Sequence, residues 1–449
     1  MTWVINVENK DFDTYQAPDS SIYRVPMSTL ELNKKAYTPK LVSFGPYHYR
    51  EDHLRAMQEH KKRTLLHFLK GAKEPLRSIV DSLVAVLLEL QNSYDSLSKE
   101  WRDTDSFVEL MVVDGCFMLE ILSAASGSQY EDDYGDQDPV FGSHGKHHVM
   151  PSIRRDMLLM ENQLPMLVLV KLSMASSGSN DEVGVEQNLH KQILSFCNSF
   201  ESNTQRQYTN CRHVLDLYHR SQFGPPERTM KAQPSTFASQ ESWGIRPLHF
   251  DRDKHGAVIF HATMLHDDGL KIKPRDTAYL NDISFDGGVL NLPVFIVDDM
   301  TESTLLNLVA FERCHVGAGN DVSSFLRFMD KIVDDEQDIR LLRKLGVLRN
   351  RTGTDRSAAD LFNTMTKSLT TDTKNELNGV QAEMVKYRKS RRHRIKAHLW
   401  QAYYFFFGAR SHFRRNWAII SIIVAIFFVS LEIIQTVFAI LQYQQGQNK

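Results

Sequence analysis

The longest apolar stretch in the chain lies near its C-terminal end, over residues 417–441, and contains one formally charged residue, Glu432. A helix of this length would extend about 37 Å, which is enough to cross a hydrocarbon core of about 30 Å. Soluble helices are usually apolar on one face only, whereas the first half of this stretch is apolar all round. The pattern therefore predicts one C-terminal transmembrane helix, with a buried core helix as the alternative.

The two sides of this stretch differ in charge, because only Lys449 is charged after it. The basic residues before it include Arg391, Arg392, Arg394, Arg414 and Arg415. The positive-inside rule then predicts that the preceding body faces the cytosol. Aromatic residues interleave with these charges over 386–416, as is typical of a juxtamembrane segment on anionic headgroups. The expected partner of this segment is the lipid bilayer, and the plasma membrane is the expected location. A nucleic-acid-binding patch is the alternative interpretation of the segment.

Five residues represent the predicted anchor: Trp417, Ile423, Phe428, Glu432 and Gln435. Glu432 would lie beyond the middle of the span, where an ionised carboxylate costs about 3 kcal/mol. Gln435 follows three residues later and shares its face. We hypothesise that this polar face mediates helix association and makes the protein a homo-oligomer. A protonated carboxylate without a role is the alternative.

Helical periodicity predicts a mainly α body over residues 21–385. Apolar residues recur at helical spacing over 76–97, 107–122 and 153–172, and all three segments are predicted to be buried. Pro165 is expected to kink the third helix. Further helices are predicted to begin after a cap at Asp299 and Glu302, and to end near Gly346.

Three tracts rich in small and polar residues are predicted loops: 123–148, 175–183 and 222–244. They are candidates for a surface that meets a protein partner, or they are inert connectors. Over 257–298, short apolar segments flank a Gly-Gly turn, which predicts a small antiparallel β element. Residues 1–20 and 442–449 are interpreted as tails.

Charge and cysteine usage exclude some classes of function. The formal net charge of −2 argues against whole-protein attraction to nucleic acid, so no nucleic-acid partner is expected. Four widely spaced cysteines without a CxxC motif predict reduced, structural thiols. They are Cys116, Cys197, Cys211 and Cys314. Residues 1–13 have no pattern of a secretory signal peptide.

The chain has no GxSxG, P-loop or HExxH motif, and no GxGxxG after a strand. We therefore predict no catalytic residue and no cofactor, and we predict that the protein is not an enzyme. The alternative is an enzyme of unrecognised type with a polar site near Asp114 or Glu161. His144, His147 and His148 lack the spacing of zinc fingers or EF-hands, which favours a solvated loop and no metal site.

Several short motifs follow one another along the chain. They are Ile22-Tyr23-Arg24-Val25-Pro26, Ser43-Phe44-Gly45-Pro46-Tyr47-His48, Asp114-Gly115-Cys116-Phe117, Met160-Glu161-Asn162-Gln163-Leu164-Pro165, Asn307-Leu308-Val309-Ala310-Phe311-Glu312 and Asn416-Trp417-Ala418-Ile419. In this order they resemble the plant family called domain of unknown function 247, also known as UPF0481. The residues His48-Tyr49-Arg50 depart from the family, which often has His-His-Gly there.

The resemblance implies a plant protein with a C-terminal membrane anchor and no established enzymatic activity. Some members lie at grass self-incompatibility loci and look like pollen-side recognition determinants. The resemblance therefore favours a protein-interaction module in recognition or signalling, whose protein partner is unknown. The alternatives are the enzyme named above and a membrane scaffold that oligomerises through its terminal helix.

One motif places three polar residues inside an apolar segment, namely Glu161, Asn162 and Gln163. Polar groups in a protein interior are normally hydrogen-bonded. We therefore predict that these three side chains belong to a polar core network, with a binding site as the alternative.

Overall fold

A computed structural model describes residues 20–127, 134–197, 207–224, 261–277, 279–367, 369, 377–390, 421–422 and 424–437 of the 449-residue chain. These residues are mainly helical and include two small sheets. Several predicted features lie outside them: residues 1–19, most of the loop at 222–244, the tail at 442–449, and the residues Arg391, Arg392, Arg394, Arg414, Arg415, Trp417 and Ile423.

Helices of the N-terminal half surround one long central helix. They are α1 (Met27–Leu30), α2 (Lys34–Tyr37), α3 (Arg55–Gly71), α4 (Leu76–Val84), α5 (Leu87–Asn92), α6 (Thr104–Ala125), α7 (Ser143–His148), α8 (Met150–Met157), α9 (Met166–Ser177) and α10 (Glu182–Cys197). The central helix is α6, against which α3, α4, α9 and α10 pack. A helix that is apolar on all sides needs neighbours on all sides, which explains this position. The prediction of a buried helix over 107–122 is confirmed.

The C-terminal half of the body is also helical. Its helices are α11 (Val214–Phe223), α12 (Ala262–Asp267), α13 (Thr301–Cys314), α14 (Asp321–Ile332), α15 (Glu336–Lys344), α16 (Asp355–Lys367) and α17 (Asn378–Lys389). Helix α13 packs against α2 as well as α14 and α16, so it joins the N-terminal segment to this half. The predicted helix end near Gly346 is confirmed, with φ of 77° at that glycine.

The strands are β1 (Lys271–Arg275), β2 (Ser284–Asp286), β3 (Val289–Pro293), β4 (Phe295–Val297) and β5 (Leu348–Asn350). Strands β2 and β3 form the expected antiparallel hairpin, but β1 pairs with β3 in parallel. Strand β4 leaves this sheet and pairs in parallel with β5. The prediction of a purely antiparallel element is therefore wrong, because local alternation carries no information about a distant pairing partner.

Two predicted long helices are interrupted. The segment 76–97 is divided into α4 and α5, and Leu76, Val84 and Leu88 are exposed rather than buried. The segment 153–172 is divided into α8 and α9 by the non-helical residues 158–165. Pro165 precedes the first residue of α9 instead of kinking one continuous helix.

The predicted loop at 123–148 is partly helical in the residues that the structure describes, 123–127 and 134–148. Its first residues continue α6 and its last six residues form α7. Phe141 is buried and stacks on Tyr134 with a centroid distance of 4.2 Å. Asp138 accepts hydrogen bonds from the backbone of Val140 and Phe141, which fixes the turn before α7. The loop predicted over 175–183 is reduced to residues 178–181 between α9 and α10.

The predicted cap before α13 has other partners. Asp298, rather than Asp299, accepts hydrogen bonds from the backbone of Met300 and the hydroxyl of Thr301. Glu302 accepts a hydrogen bond from Asn33 at 2.8 Å instead of capping its own helix. The first turn of α13 is thus held by Asp298, which lies just before it, and by Asn33 from the N-terminal segment.

All four cysteines are free, and Cys116, Cys197 and Cys211 are buried. Burial raises the pKa of Cys197 and of Cys211 to about 12, so both are protonated thiols at neutral pH. Buried, protonated thiols behave as small apolar side chains. The prediction of reduced cysteines is confirmed.

Helix α17 extends across the boundary predicted between the body and the juxtamembrane segment, at residues 385 and 386. Residues 424–437 are helical, and Phe427, Phe428 and Ile433 on this helix are about three-fifths exposed. Within the described part of the chain, no helix has both the length and the apolar character needed to span a membrane.

Candidate functional site

Residues 21–48 lie across the body with only the short helices α1 and α2, so most of their backbone groups need partners outside regular structure. Six polar side chains provide many of these partners. We call them the polar clamp: Lys61, Asp114, Asp156, Glu161, Asn162 and Gln163. Each is buried, with at most 6% of its surface exposed.

Asp156, at the end of α8, binds the backbone of the N-terminal segment directly. Its carboxylate accepts hydrogen bonds from the N–H groups of Lys40, Leu41 and Val42, at distances of 2.7 to 3.1 Å. Arg155 pairs with the same carboxylate at 2.8 Å and donates to the carbonyl of Lys35. Burial raises the pKa of Asp156, although these N–H groups and Arg155 act in the opposite direction.

The two amide side chains of the clamp bond to backbone on both sides of the 158–165 connection. Asn162 accepts from the N–H of Phe44 at 2.7 Å and donates to the carbonyls of Val42 and Asp156. Gln163 donates to the carbonyls of Met157 and Leu159 and accepts from Leu215. Side chains that bond to nearby backbone compete with helix formation, which explains why this connection is not helical.

Glu161 connects the N-terminal segment to a histidine. One carboxylate oxygen accepts from the N–H of Val25 at 2.6 Å, and the other lies 3.2 Å from Nε2 of His48. Nδ1 of His48 is 2.5 Å from Glu51. Burial by itself lowers the pKa of His48, but the two carboxylates together raise it above its ordinary value.

Lys61 on α3 and Asp114 on α6 form an ion pair of 2.6 Å, and neither side chain is exposed. Lys61 also donates to the carbonyl of Ser43, while Asp114 accepts from the N–H of Gly45. Burial raises the pKa of Asp114, against the effect of the Lys61 charge. Gly45 has φ of 74°, and a Cβ there would lie 2.8 Å from the carbonyl oxygen of Gln163, so only glycine fits this approach.

A second group of polar side chains joins α11 and α13, and we call it the histidine cluster: the buried residues His213, His219 and Glu312, and the half-buried His315. His213 donates to the carbonyl of Ser21 and accepts the N–H of Asp216, which assigns the neutral tautomer. Burial lowers the pKa of His213 to about 4. His219 lies 3.2 Å from Glu312, and His315 shares a hydrogen bond of 3.0 Å with the hydroxyl of Tyr23.

Sequence reasoning missed the histidine cluster. The available signal was His219 among the apolar residues of α11 and Glu312 among those of α13, but these two side chains lie far apart in sequence. The same limit applies to the clamp, where Glu161 and Val25 are 136 positions apart. The three predicted core residues Glu161, Asn162 and Gln163 are all hydrogen-bonded as expected.

The geometry suits holding a peptide segment more than chemistry on a substrate. Asp114, Asp156 and Glu161 are each bonded to backbone N–H groups of the N-terminal segment. If one of these carboxylate oxygens took part in a reaction, it would lose its hydrogen bonds to the N-terminal segment and release that segment. Within the described residues, no group of three or more His, Cys, Asp or Glu side chains could hold a metal ion. His144, His147 and His148 lie exposed on α7.

The described residues of the predicted anchor, Phe428, Glu432 and Gln435, lie on the helix 424–437 and are exposed. The structure therefore does not bring them together with the clamp. The predicted site residues separate into a buried group within the body and an exposed group at the C-terminal end.

The motifs that form the clamp also identify the family. A family model described as a plant protein of unknown function, DUF247, matches residues 22–431. This chain belongs to the DUF247 family. The matched range begins at the clamped N-terminal segment and includes every residue of the clamp and of the histidine cluster.

Two curated relatives come from Arabidopsis thaliana. UPF0481 protein At3g47200 is 29% identical over 437 residues, which cover 94% of this chain and 86% of the relative. Putative UPF0481 protein At3g02645 is 24% identical over 452 residues, with 82% and 83% covered. No solved structure matches this DUF247 chain significantly.

Proposed function

We propose that this DUF247 protein is a protein-interaction module in recognition or signalling, held at a membrane by its C-terminal helix. The observation that carries the proposal is the apolar surface of the helix 424–437. Ile426, Phe427 and Phe428 are 61–62% exposed there, and Ile433 is 59% exposed. Burying such a side chain away from water is favourable by about 2 kcal/mol, and exposed side chains do not gain this free energy. A lipid environment would therefore suit this surface.

The non-catalytic part of the proposal is supported by the polar clamp. Its three carboxylates and its one ammonium group bind the N-terminal segment or each other inside the core. A partner would then meet the exterior of the body, where exposed residues such as Val183 on α10 and Val316 after α13 lie. The narrower role in self-incompatibility comes from the family resemblance alone.

Membrane attachment is tested by fractionating cells that produce the full-length protein. We expect the protein in the pelleted membranes after a carbonate wash, and in solution only after detergent is added. Phe427→Asp with Phe428→Asp should move it to the supernatant, because charge in the lipid core costs about 3 kcal/mol per residue. Val316→Asp is the matched control, since Val316 is an exposed apolar residue of the body. Wild-type protein in the supernatant without detergent contradicts the proposal.

We further propose that the body faces the cytosol at the plasma membrane. The sequon at Asn350 is a poor reporter, because the Asn350 amide donates to Thr354 and Asp355 and its carbonyl accepts from Thr352. A short tag with its own sequon, added after Lys449, avoids this problem. We expect a glycosidase-sensitive mass shift from the tag that Asn350→Gln leaves unchanged. Glycosylation at Asn350 contradicts this orientation.

The interaction role is tested by proximity labelling in plant cells. We expect the full-length protein to label a set of proteins that a tag fused to residues 417–449 alone does not label. Deleting 417–449 should reduce that set, because the body loses its position at the membrane. Identical labelling by the full-length protein and by the anchor alone would show that the body recruits no partner.

A further inference from the structure

A run of exposed basic residues lies between α15 and α16, on a body that is acidic as a whole. The chain has 53 Lys and Arg against 55 Asp and Glu, and residues 386–449 hold 11 of the basic residues and one of the acidic ones. Residues 1–385 therefore carry a formal charge of −12, whereas residues 340–356 carry +5. Six exposed side chains in this run form what we call the basic patch: Arg340, Arg343, Lys344, Arg349, Arg351 and Arg356.

Three elements bring the basic patch together around Asp355, the first residue of α16. Arg340 and Arg343 of α15 lie 3.9 Å and 3.2 Å from its carboxylate. Asn350 of β5 donates to the same carboxylate at 3.2 Å. The other four cations directly precede or follow Arg343, Asn350 or Asp355 in the chain. Side chains from α15, β5 and α16 therefore contribute to one cationic surface.

Ion pairs within the basic patch leave it cationic. Asp355 is shared by two guanidinium groups, and its side chain is only 11% exposed. Glu336 pairs with Arg340 at 3.6 Å. The side chains of Arg340 and Arg343 nevertheless keep 64% and 52% of their surface exposed. Both remain accessible to an anion outside the protein.

Exposed guanidinium groups bind phosphate and carboxylate oxygens through two parallel hydrogen bonds. The cytosolic leaflet of a membrane presents both kinds of oxygen on anionic lipids, and it attracts basic residues that lie near its surface. We propose that the basic patch docks on anionic lipid headgroups and so determines which side of the body faces the membrane. The proposal rests on the membrane attachment proposed above.

The tether to the membrane favours lipid over an acidic protein as the occupant of the basic patch. Twenty-six residues, 391–416, lie between Ser390 and the predicted anchor at Trp417. A chain of that length spans at most about 90 Å, so the body has the reach to turn any side to the surface. Contact within a tethered molecule needs only a weak attraction, because the local concentration of the surface is high. The acidic remainder of the body is repelled by the same lipids, which favours one orientation.

The proposal is tested with full-length protein reconstituted into vesicles of phosphatidylcholine, with and without phosphatidylserine. A dye is attached through Ser357→Cys, at an exposed position on the first turn of α16. Cys314→Ser removes the half-buried native thiol, and the other three cysteines are buried. We expect a headgroup-labelled lipid to quench the dye only in vesicles that contain phosphatidylserine. Added salt should weaken this quenching, because it screens exposed charges.

Charge reversal tests the basic patch itself. We expect Lys344→Glu with Arg356→Glu to lower the ratio of docked to undocked protein by about 25-fold or more, since each basic residue at an anionic surface contributes about fivefold. These changes leave the arginine pairs of Asp355 in place. Lys70→Glu with Arg77→Glu is the matched control, because it alters the net charge equally at exposed positions of α3 and α4.

Vesicle flotation separates this proposal from the proposed function. Wild-type protein that does not float with the vesicles refutes membrane attachment itself. Protein that floats but is quenched equally in neutral and anionic vesicles overturns docking through the basic patch. Quenching that persists after reversal of Lys344 and Arg356 overturns it as well. Equal losses in the two charge-reversed proteins also overturn it, because overall charge would then hold the body at the surface.

Discussion

A lysine ammonium with no exposed surface depends on the groups that surround it. Lys61 has the Asp114 carboxylate at 2.6 Å and the carbonyl of Ser43, and the ring of Phe44 lies 5.6 Å from Nζ. Removing one member of such a pair leaves the other charge buried without compensation. The ion pair therefore specifies how α3, α6 and the N-terminal segment fit together.

We expect Lys61→Met to lower the free energy of unfolding by about 3–5 kcal/mol, because Asp114 is left unpaired. Denaturant unfolding followed by tryptophan fluorescence measures this change. Lys62→Met is the matched control, since the adjacent lysine side chain is 67% exposed and its ion pair with Glu59, at 3.5 Å, lies on the surface. Adding Asp114→Leu to Lys61→Met should recover part of the loss. Equal effects of the Lys61 and Lys62 substitutions would contradict a role for the buried pair.

His213 makes stability depend on pH in the acid range. Burial lowers its pKa to about 4 in the folded protein, whereas an unfolded histidine has a pKa of about 6.5. The unfolded state therefore binds more protons between these values, and the free energy of unfolding falls as the pH falls. His190, with its pKa lowered to about 4 mainly by burial, acts in the same direction. His48 acts oppositely, because its raised pKa stabilises the protein at low pH and that contribution is lost as pH rises through it.

We expect His213→Asn to reduce the slope of unfolding free energy against pH between 6.5 and 4 by up to about 1.4 kcal/mol per pH unit. Asparagine can still accept the N–H of Asp216 at the start of α11, but it does not titrate. The measurement is denaturant unfolding at a series of pH values. His144→Asn, at an exposed position on α7, should leave the slope unchanged. If His213→Asn leaves the slope of unfolding free energy against pH unchanged, other groups cause the acid sensitivity.

At the scale of elements, the N-terminal segment is held by side chains rather than by a sheet or a helix bundle. Asp156 holds three successive N–H groups, Asn162 holds Phe44, and Glu161 holds Val25. Segments with few regular hydrogen bonds can open locally without global unfolding. We therefore expect the carboxylate of Asp156 to limit local opening of this segment.

We expect Asp156→Asn to cost about 2 kcal/mol, because the amide cannot accept all three N–H groups and introduces a donor. Trypsin cleavage after Lys34, Lys35 and Lys40 should then become about thirtyfold faster under native conditions, because local opening increases by that factor. Peptide mass spectrometry over time measures the rates. Asp360→Asn, on the exposed side of α16, should leave them unchanged. Unchanged cleavage in the Asp156 variant would show that other contacts hold the segment.

At the scale of the whole molecule, α17 is the last helix in the described part of the chain that packs against the body. Met384 is fully buried, Tyr387 lies edge-on to Phe285 at 5.5 Å, and Arg388 pairs with Asp268 at 2.8 Å. Gln381 accepts a hydrogen bond from Lys331. Because the predicted anchor follows this helix in the chain, α17 connects the body to the region proposed to meet the membrane.

We expect a chain that ends after Ser390 to keep the thermal stability of the body, and a chain that ends after residue 369 to melt about 5–10 °C lower. The physical reason is the loss of the apolar contacts of Leu377, Met384 and Tyr387. Differential scanning calorimetry of the two truncated proteins measures the difference. Equal melting temperatures would show that α17 contributes no stability to the body.

The local sequence pattern was sufficient to predict features that depend only on residues close together in the chain. The mainly α class, the central helix α6, the end of α15 near Gly346, the β2–β3 hairpin and the reduced cysteines all follow from periodicity, turn chemistry or cysteine spacing. Family membership likewise follows from short motifs in order. The membrane anchor, its orientation and the interaction role stay predictions.

Tertiary contacts decided the rest. Asn162 and Gln163 stop one predicted helix by bonding to backbone as far away as Phe44 and Leu215. Strand β4 pairs with β5 across three helices, and Tyr134 and Phe141 turn an expected surface loop into anchored structure. By itself, the sequence determined the mainly helical class, the family and where the apolar terminus lies. Only the folded chain determined where the buried charges find their partners, because those partners lie up to 136 residues away and local periodicity carries no information over that distance.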